Sequence, residues 1–593
     1  MKRTKIGPAF SESITGGKFK RRREIRGLLT PEVTALVPLI CLVLVIGFFA
    51  VRLFYLQVLQ SDYYRRLSDE NRIRTVLIPA PRGILFDRHG KPLVSNSPAF
   101  KILDDEQKVR WLDREEALTR IAKGEEVVSD AQREYLYKDA FAHVLGYTGQ
   151  ISEQELSSAD FQDYALSDFV GKMGLESQYE ALLHGKNGRE LFEVDAAGNK
   201  MRSLGREQPI AGKNIHTTLD AAIQKSVHEA MHEASKGAVI VSDPRSGEIL
   251  ALYSKPTYDP NLFTHSNTYK PSGNYKTVEE VVLDGENQPL LDRAISGVYP
   301  PGSTYKLVSA MAALESGAMK RDTIIKDTGI LRVGTFSFGN WYFLQYGRTD
   351  GDVDVVKAIK RSNDIYFYKA AESTGIKNLS AWSRKFGLGR KLGLDLSGEV
   401  AGTVPDEAWK KENLGEGWYL GDNYNMGIGQ GYLLATPLQV NTFTVPFANN
   451  GTLYKPHLLR NNTQVLEKDF VDTQNLQAIR EGMRQSCDSD GGVAFPFFNF
   501  RVKNEKLQID GQDFKEINAT GSGMMTQITV GCKTGTSQVG GENTLPHAWI
   551  TVIAPFYDPE IVVTVLVETA GEGSAVAGPV AKEILEDYFE NKK

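Results

Sequence analysis

Pro300-Pro301-Gly302-Ser303-Thr304-Tyr305-Lys306 is the one place in the chain where a serine stands three residues before a lysine. Pro and Gly open helices well and interrupt them badly, and Leu307, Met311 and Leu314 then recur at helical spacing up to Gly317. Ser303 is therefore expected in the first turn of a buried helix. At a separation of three, its hydroxyl and the Lys306 amine share one face and come within reach of each other. Burial disfavours the charged form of lysine, so Lys306 becomes a base for a hydroxyl and Ser303 a candidate nucleophile. Alone the spacing says little, because about two such pairs are expected by chance in a chain this long.

The 593 residues leave room for several domains, and 41% hydrophobic with 24% charged residues is ordinary globular composition. A net charge of −5 gives no case for a nucleic-acid partner. Residues 1–32 carry nine Lys or Arg against three Glu and read as a basic tail. Residues 33–51 are then free of charge until Arg52. That is just enough helix to cross a bilayer, and basic flanks stay inside, which places the N-terminus in the cytoplasm and the remainder outside the cytoplasmic membrane. No Ala-x-Ala site follows the apolar run, so it reads as an uncleaved single-pass anchor.

Residues 52–218 form an N-terminal module. Thr75 to Ile78 reads as a strand, Pro81 to Leu93 as a hairpin with a solvated His89 in its turn, and Asp104 to Leu166 as charged helix. Gly171 to Leu183 opens a further helix, followed by strand-like Glu190 to Val194 and Ile215 to Thr218. The module offers no nucleophile elbow, metal motif or phosphate loop, and is taken as an accessory, pedestal-like unit.

Residues 219–593 form the second unit. Asp220 caps a helix bearing Ile223, Val227 and Met231, and two apolar strands flank the Asp243-Pro244 turn. Lys255 to Arg293 is polar and reads as surface loop. Asn425 to Gly431 is a Gly-rich turn lacking the Lys-Ser/Thr of a phosphate loop. Ser489 to Met525, with Phe495, Phe497, Phe498 and Phe500, reads as an inserted flap. Strands around Cys532, Trp549 and Val565 and a closing helix from Val576 complete an α+β unit: an antiparallel sheet with helices on both faces. Of the three cysteines, Cys487 and Cys532 lie outside the anchor, and the spacing leaves open whether they are bridged.

Three motifs now stand together in order: Ser303-x-x-Lys306, Ser362-Asn363-Asp364 and Lys533-Thr534-Gly535, on a helix, a helix and a strand. Jointly they resemble the penicillin-binding protein and serine β-lactamase superfamily. The anchor, Arg82-Gly83-x-x-x-Asp87-Arg88-x-Gly90 and Gly174-Leu175-Glu176 extend the resemblance over nearly the whole chain, to class B penicillin-binding proteins and, among them, the elongation type.

The resemblance implies a D-alanyl-D-alanine transpeptidase that crosslinks peptidoglycan stem peptides through a serine acyl-enzyme and is acylated by β-lactams. It implies Ser303 as nucleophile, Lys306 as its base and Ser362 as proton relay, with backbone amides of Ser303 and Thr536 as oxyanion hole. Lys533, Thr534, Gly535 and Thr536 would bind the donor carboxylate. Asp364 is grouped with these substrate-binding residues; it stands where the motif often carries Asn, and an ionised carboxylate there favours Lys306 or Lys533 as neighbour. The partners implied are a SEDS-type glycan polymerase and other elongation-complex proteins. No cofactor is expected. Some relatives are thought to carry zinc, but no His or Cys lies between Ser303 and Ser362. The rival readings are a septal transpeptidase, a β-lactam sensor, a hydrolytic β-lactamase or carboxypeptidase, and a scaffold that activates a polymerase.

Overall fold

The computed structural model describes residues 31–64, 73–104, 107–125, 127–161, 164–195, 200–265, 269–504, 507, 515–517, 524–541 and 543–592. The basic tail thus lies outside the described residues except at its end, as does much of the inserted segment. The chain divides into two compact units, 1–76 with 189–207 and 77–188 with 208–593.

The first unit carries the apolar helix Pro31–Phe54, which continues as a π-helical turn Tyr55–Leu59. Residues 36–59 are apolar enough and long enough to cross a membrane, at about 36 Å of helix. Leu44, Phe48 and Val51 stand exposed along it, a surface that water disfavours and lipid accepts. The same unit holds most of a sheet of Ile73–Ile78, Gly188–Val194 and Lys200–Glu207.

In the second unit the helix Ala221–Ala230 (α1) begins where Asp220 accepts hydrogen bonds from the amides of Ala222 and Ile223. A hairpin follows, Gly237–Ser242 (β1) and Ile249–Lys255 (β2). After the long excursion that carries the helices, Gly531–Ser537 (β3), His547–Ala554 (β4) and Ile561–Val567 (β5) complete an antiparallel sheet in the order β2-β1-β5-β4-β3. Every residue of β1, β4 and β5 is buried, so the sheet is covered on both faces and these strands read as continuous apolar runs. One face packs on α1 and the closing helix Ala577–Glu590, the other on the helices Lys306–Glu315 (α2) and Pro437–Ala448. The expected fold class is the one observed, and β3 is left as the edge strand beside α2.

Three stretches differ from expectation, two for reasons of hydrogen bonding and one for apolar packing. Asp104 to Leu166 is helical chiefly at Arg114–Ala122; Val94–Leu103, Val109–Leu112 and Val128–Tyr135 pair instead as an antiparallel sheet. Its charges are not a solvated helix face: Arg133 is buried because Glu176, forty-three residues on, accepts from its Nε at 2.7 Å. Lys255 to Arg293 is not simply a surface loop, since Asn261 is buried and pairs through its side chain with both backbone groups of Tyr135. Phe497 and Phe500 of the expected flap are buried among the residues that pack under the sheet, while Phe495 is exposed. Cys487 and Cys532 form a disulfide, joining the end of the helix Thr473–Ser486 to β3.

The Arg82 and Glu176 motifs meet. Arg82 donates to Glu176 through Nε and to Glu180 through Nη2, at 2.7 and 2.6 Å, and Glu176 is fully buried between Arg82 and Arg133. A Cβ on Gly83 would lie 2.1 Å from the carbonyl oxygen of Lys213, which is why glycine follows the arginine. Removing one member of a buried charge set leaves the others unpaired at a cost of roughly 3–5 kcal/mol. Arg82→Ala is expected to lower the midpoint of thermal unfolding accordingly, and Arg82→Lys to recover only part of the loss because an ammonium cannot make the fork. A midpoint unchanged in Arg82→Ala would refute this account of the cluster.

Candidate active site

The nucleophile turn is built by close backbone contact. Gly302–Tyr305 forms a 3-10 turn that runs into α2, and Gly302 adopts φ +54°, a conformation that glycine takes without steric cost. Its amide donates to the carbonyl of Gly429 at 2.9 Å, and a Cβ on Gly429 would lie 2.1 Å from the Gly302 oxygen. The Gly-rich stretch Asn425 to Gly431 is thus the bed on which the serine turn rests. Trp549 of β4 donates from its indole to the Pro300 carbonyl at 3.1 Å, tying the turn to the sheet. Thr304 closes the turn through the Pro301 carbonyl, and Tyr305 reaches Ser383. Ser303 is left half-buried, whereas Lys306 one turn later is wholly buried.

The second motif joins two helices, Val355–Arg361 (the helix before it) and Asp364–Lys385, the latter broken at Gly375. Ser362 ends the first in the left-handed region at φ 53°, and Asn363 caps the second by accepting from the amide of Tyr366. That reversal turns the carbonyl and the hydroxyl of Ser362 toward one point. Lys306 Nζ donates to the Ser362 carbonyl at 2.7 Å, to Asp364 Oδ1 at 2.7 Å and, more weakly, to Ser362 Oγ at 3.4 Å. Among the described residues no hydrogen bond joins Lys306 to Ser303 in the resting site.

Lys533 approaches from β3. Its Nζ donates to Ser362 Oγ and to the Thr534 carbonyl, both at 2.9 Å. Ser362 Oγ therefore lies between two buried amines. Burial lowers the proton affinity of Lys306, and Asp364 offsets part of that. Lys533 is pushed well below the usual lysine range by burial and by the charge of Lys306, with Asp364 again opposing. Asp364, expected among the substrate-binding residues, is engaged with Lys306 through one oxygen and with the backbone amide of Trp341 through the other, at 2.9 Å.

The remainder of β3 forms the other wall. A Cβ on Gly535 would stand 3.0 Å from Trp549 and 3.1 Å from the Thr304 methyl, so glycine lets the strand lie against the serine turn. Thr534 is buried, while Thr536 is exposed, with its Oγ1 accepting from the amide of Gly573 at 3.4 Å. The residues expected from the three motifs thus lie on three adjoining segments, the serine turn that opens α2, the Ser362 turn and β3.

Reading the sequence missed Gly429, Trp549, Asn340 and Trp341. Asn340 carried a signal, being a cap-type residue before the helix Trp341–Tyr346. Its side chain, however, caps nothing there and accepts from the amide of Asp364 at 3.1 Å instead.

With the geometry described, comparison with known proteins identifies the family. Residues 237–586 match the penicillin binding protein transpeptidase domain and residues 115–217 the penicillin-binding protein dimerisation domain. The peptidoglycan D,D-transpeptidase MrdA of Haemophilus influenzae is 31% identical over 98% of this chain and 95% of its own length. That of Escherichia coli K12 is 30% identical over 93% of both. Among solved structures, Pseudomonas aeruginosa PBP2 in complex with WCK 5153 is similar with a TM-score of 0.67 at 31% identity, covering 87% of this chain and 96% of that one. The complex of PBP2 with MreC from Helicobacter pylori gives 0.71 at 28% identity, covering 87% and 98%. The chain belongs to the penicillin-binding protein transpeptidases, as a class B member of the elongation type.

Proposed function

We propose that this chain is a peptidoglycan D,D-transpeptidase of cell-wall elongation whose acyl-enzyme forms on Ser303. The observation that carries the residue assignment is the convergence of Lys306 and Lys533 on Ser362 Oγ beside the serine turn. Ser303 Oγ attacks the carbonyl of the penultimate D-alanine, its proton passing to neutral Lys306. The tetrahedral oxyanion forms between the amides of Ser303 and Thr536. It collapses with the C–N bond breaking, and the departing D-alanine amine takes a proton relayed from Lys306 through Ser362. An amine of a second stem peptide then attacks the ester, forms the crosslink and returns Ser303 its proton.

Lys533 acts through charge. Burial and Lys306 both disfavour its ammonium form. The carboxylate of the donor peptide supplies the missing counter-charge, with Thr534 and Thr536 as hydroxyl donors. A β-lactam carries the same carboxylate and an acyl group, and acylates the same serine.

The basic tail before the apolar helix supports a cytoplasmic N-terminus and a catalytic unit outside the membrane. Elongation-complex proteins, a SEDS-type polymerase among them, are the proposed partners. Solved relatives support this reading: one was determined with MreC, and another, with a TM-score of 0.70 at 27% identity, in a peptidoglycan synthase complex that coordinates polymerization and crosslinking.

Two measurements test the chemistry. Fluorescent penicillin is expected to label the full-length chain in membranes and to leave Ser303→Ala unlabelled; covalent labelling that persists in the variant would sink the assignment. In Asp364→Asn both lysines lose the carboxylate that raises them. Neutral Lys306 then appears at lower pH, so the rising limb of the acylation rate against pH moves toward acid. A limb that stays in place or moves toward alkali contradicts the role given to Lys306.

A further inference from the structure

Asp327 lies in the segment after α2, buried and remote in sequence from all three motifs. Its Oδ1 accepts from the amide of Gly329 at 2.7 Å. Its Oδ2 accepts from three donors on three other segments: Asn340 Nδ2 at 2.8 Å, Asn363 Nδ2 at 2.9 Å and the amide of Asp350 at 2.9 Å. All four partners are N–H donors, one on Oδ1 and three on Oδ2, so the carboxylate serves purely as an acceptor and ties four segments to one side chain.

Two of these donors belong to residues whose other ends hold the site. Asn340 turns its Oδ1 to the amide of Asp364, and its neighbour Trp341 gives its amide to Asp364 Oδ2. The carboxylate of Asp364 is thereby fixed with its remaining oxygen on Lys306. Asn363 shares its Nδ2 between Asp327 and Asp350 Oδ2, while its Oδ1 caps the following helix. Asp350 is anchored in turn by Arg361 Nε at 2.9 Å. Asn363 follows Ser362, whose left-handed backbone has an intrinsic cost and persists where its surroundings over-determine it.

We propose that Asp327 is a positioning residue of the acylation site: through Asn340 it orients Asp364 against Lys306, and through Asn363 it holds the Ser362 turn. The inference rests on the reading that Ser303 is acylated. The charged groups facing Lys306 are Asp364 and, across Ser362, Lys533; those nearest Asp327 are Asp350 and its partner Arg361. Asp327 makes no contact with the reacting groups and acts through amides.

The test is the rate of penicillin acylation of the full chain against pH, for wild type, Asp327→Asn, Asp364→Asn and the double variant. An amide at 327 turns an NH2 toward N–H donors and breaks the hub. Asp327→Asn is expected to slow acylation roughly tenfold or more and to move the rising limb toward acid, as Asp364→Asn does. The double variant should move it no further than Asp364→Asn alone, because there is then no carboxylate left to orient. A folded Asp327→Asn with the wild-type profile overturns the proposal. Additive displacement overturns it too, since Asp327 would then act as an independent charge. If Asp327→Asn fails to fold, Asn340→Ala, which keeps the buried charge and removes the link to Asp364, carries the same test: a displaced limb supports the proposal and a wild-type limb overturns it. Wild type that penicillin does not acylate would instead sink the assignment of Ser303.

Discussion

Two buried lysines share one carboxylate around the hydroxyl of Ser362, and the molecule is arranged to keep them there. An ammonium out of water is expensive unless it is paired, and here three charged groups leave one positive charge in excess when both lysines are protonated. The site therefore disfavours its own full protonation. Burial thus lowers the proton affinity of Lys306, and that of Lys533 further, which is what the proposed roles of base and carboxylate partner require. A single structural circumstance thus serves both halves of the proposed chemistry, proton removal and anion binding.

Such an arrangement is stable only if the walls cannot spread, and the walls are held by backbone approaching backbone. Gly302 rests on Gly429, and Gly535 lies against Thr304 and Trp549. At the first of these contacts no side chain intervenes, so there is no rotamer to yield. The sheet supplies the rigidity: β3 is an edge strand, but it is paired along its length to β4 and joined at Cys532 to the helix that ends at Cys487. An edge position keeps one rim of β3 open to the cleft, and the sheet behind it keeps that rim straight.

How far the sequence reveals this depends on whether a residue acts through its own type or through a partner. That the segments of Ser303, Lys306, Ser362 and Lys533 belong together was legible because their spacing belongs to a known set. The sheet was legible because β1, β4 and β5 are predominantly apolar, β-branched runs. Asp364 was half legible: a carboxylate seeks a cation, but which lysine it meets depends on the Trp341 amide holding its other oxygen. The stretch from Asp104 to Leu166 misled because charges in alternation on a strand and charges on a helix face look alike until the distant partner, Glu176, is known. Gly429 and Asn340 carried only structural signals, a Gly-rich turn and a cap-type residue, since one acts by lacking a side chain and the other by turning its side chain away from the helix it precedes.

The same distinction explains why buried charge is tolerated so generously around the second motif. Holding a serine in the left-handed region costs about 1–2 kcal/mol. A hydrogen bond to a charged group returns roughly 1.5–3 kcal/mol. The bonds that converge on Asp327, Asn363 and Asp350 therefore exceed what the reversal at Ser362 costs, with enough left to offset part of the desolvation of two carboxylates and Arg361. Apolar packing of the same volume could match that stability. It could not specify direction, because dispersion is indifferent to a rotation of the Ser362 carbonyl, whereas the hydrogen bond to Lys306 is not. The polar network is what converts a turn that merely closes two helices into one that aims a carbonyl, a hydroxyl and a carboxylate at a single amine.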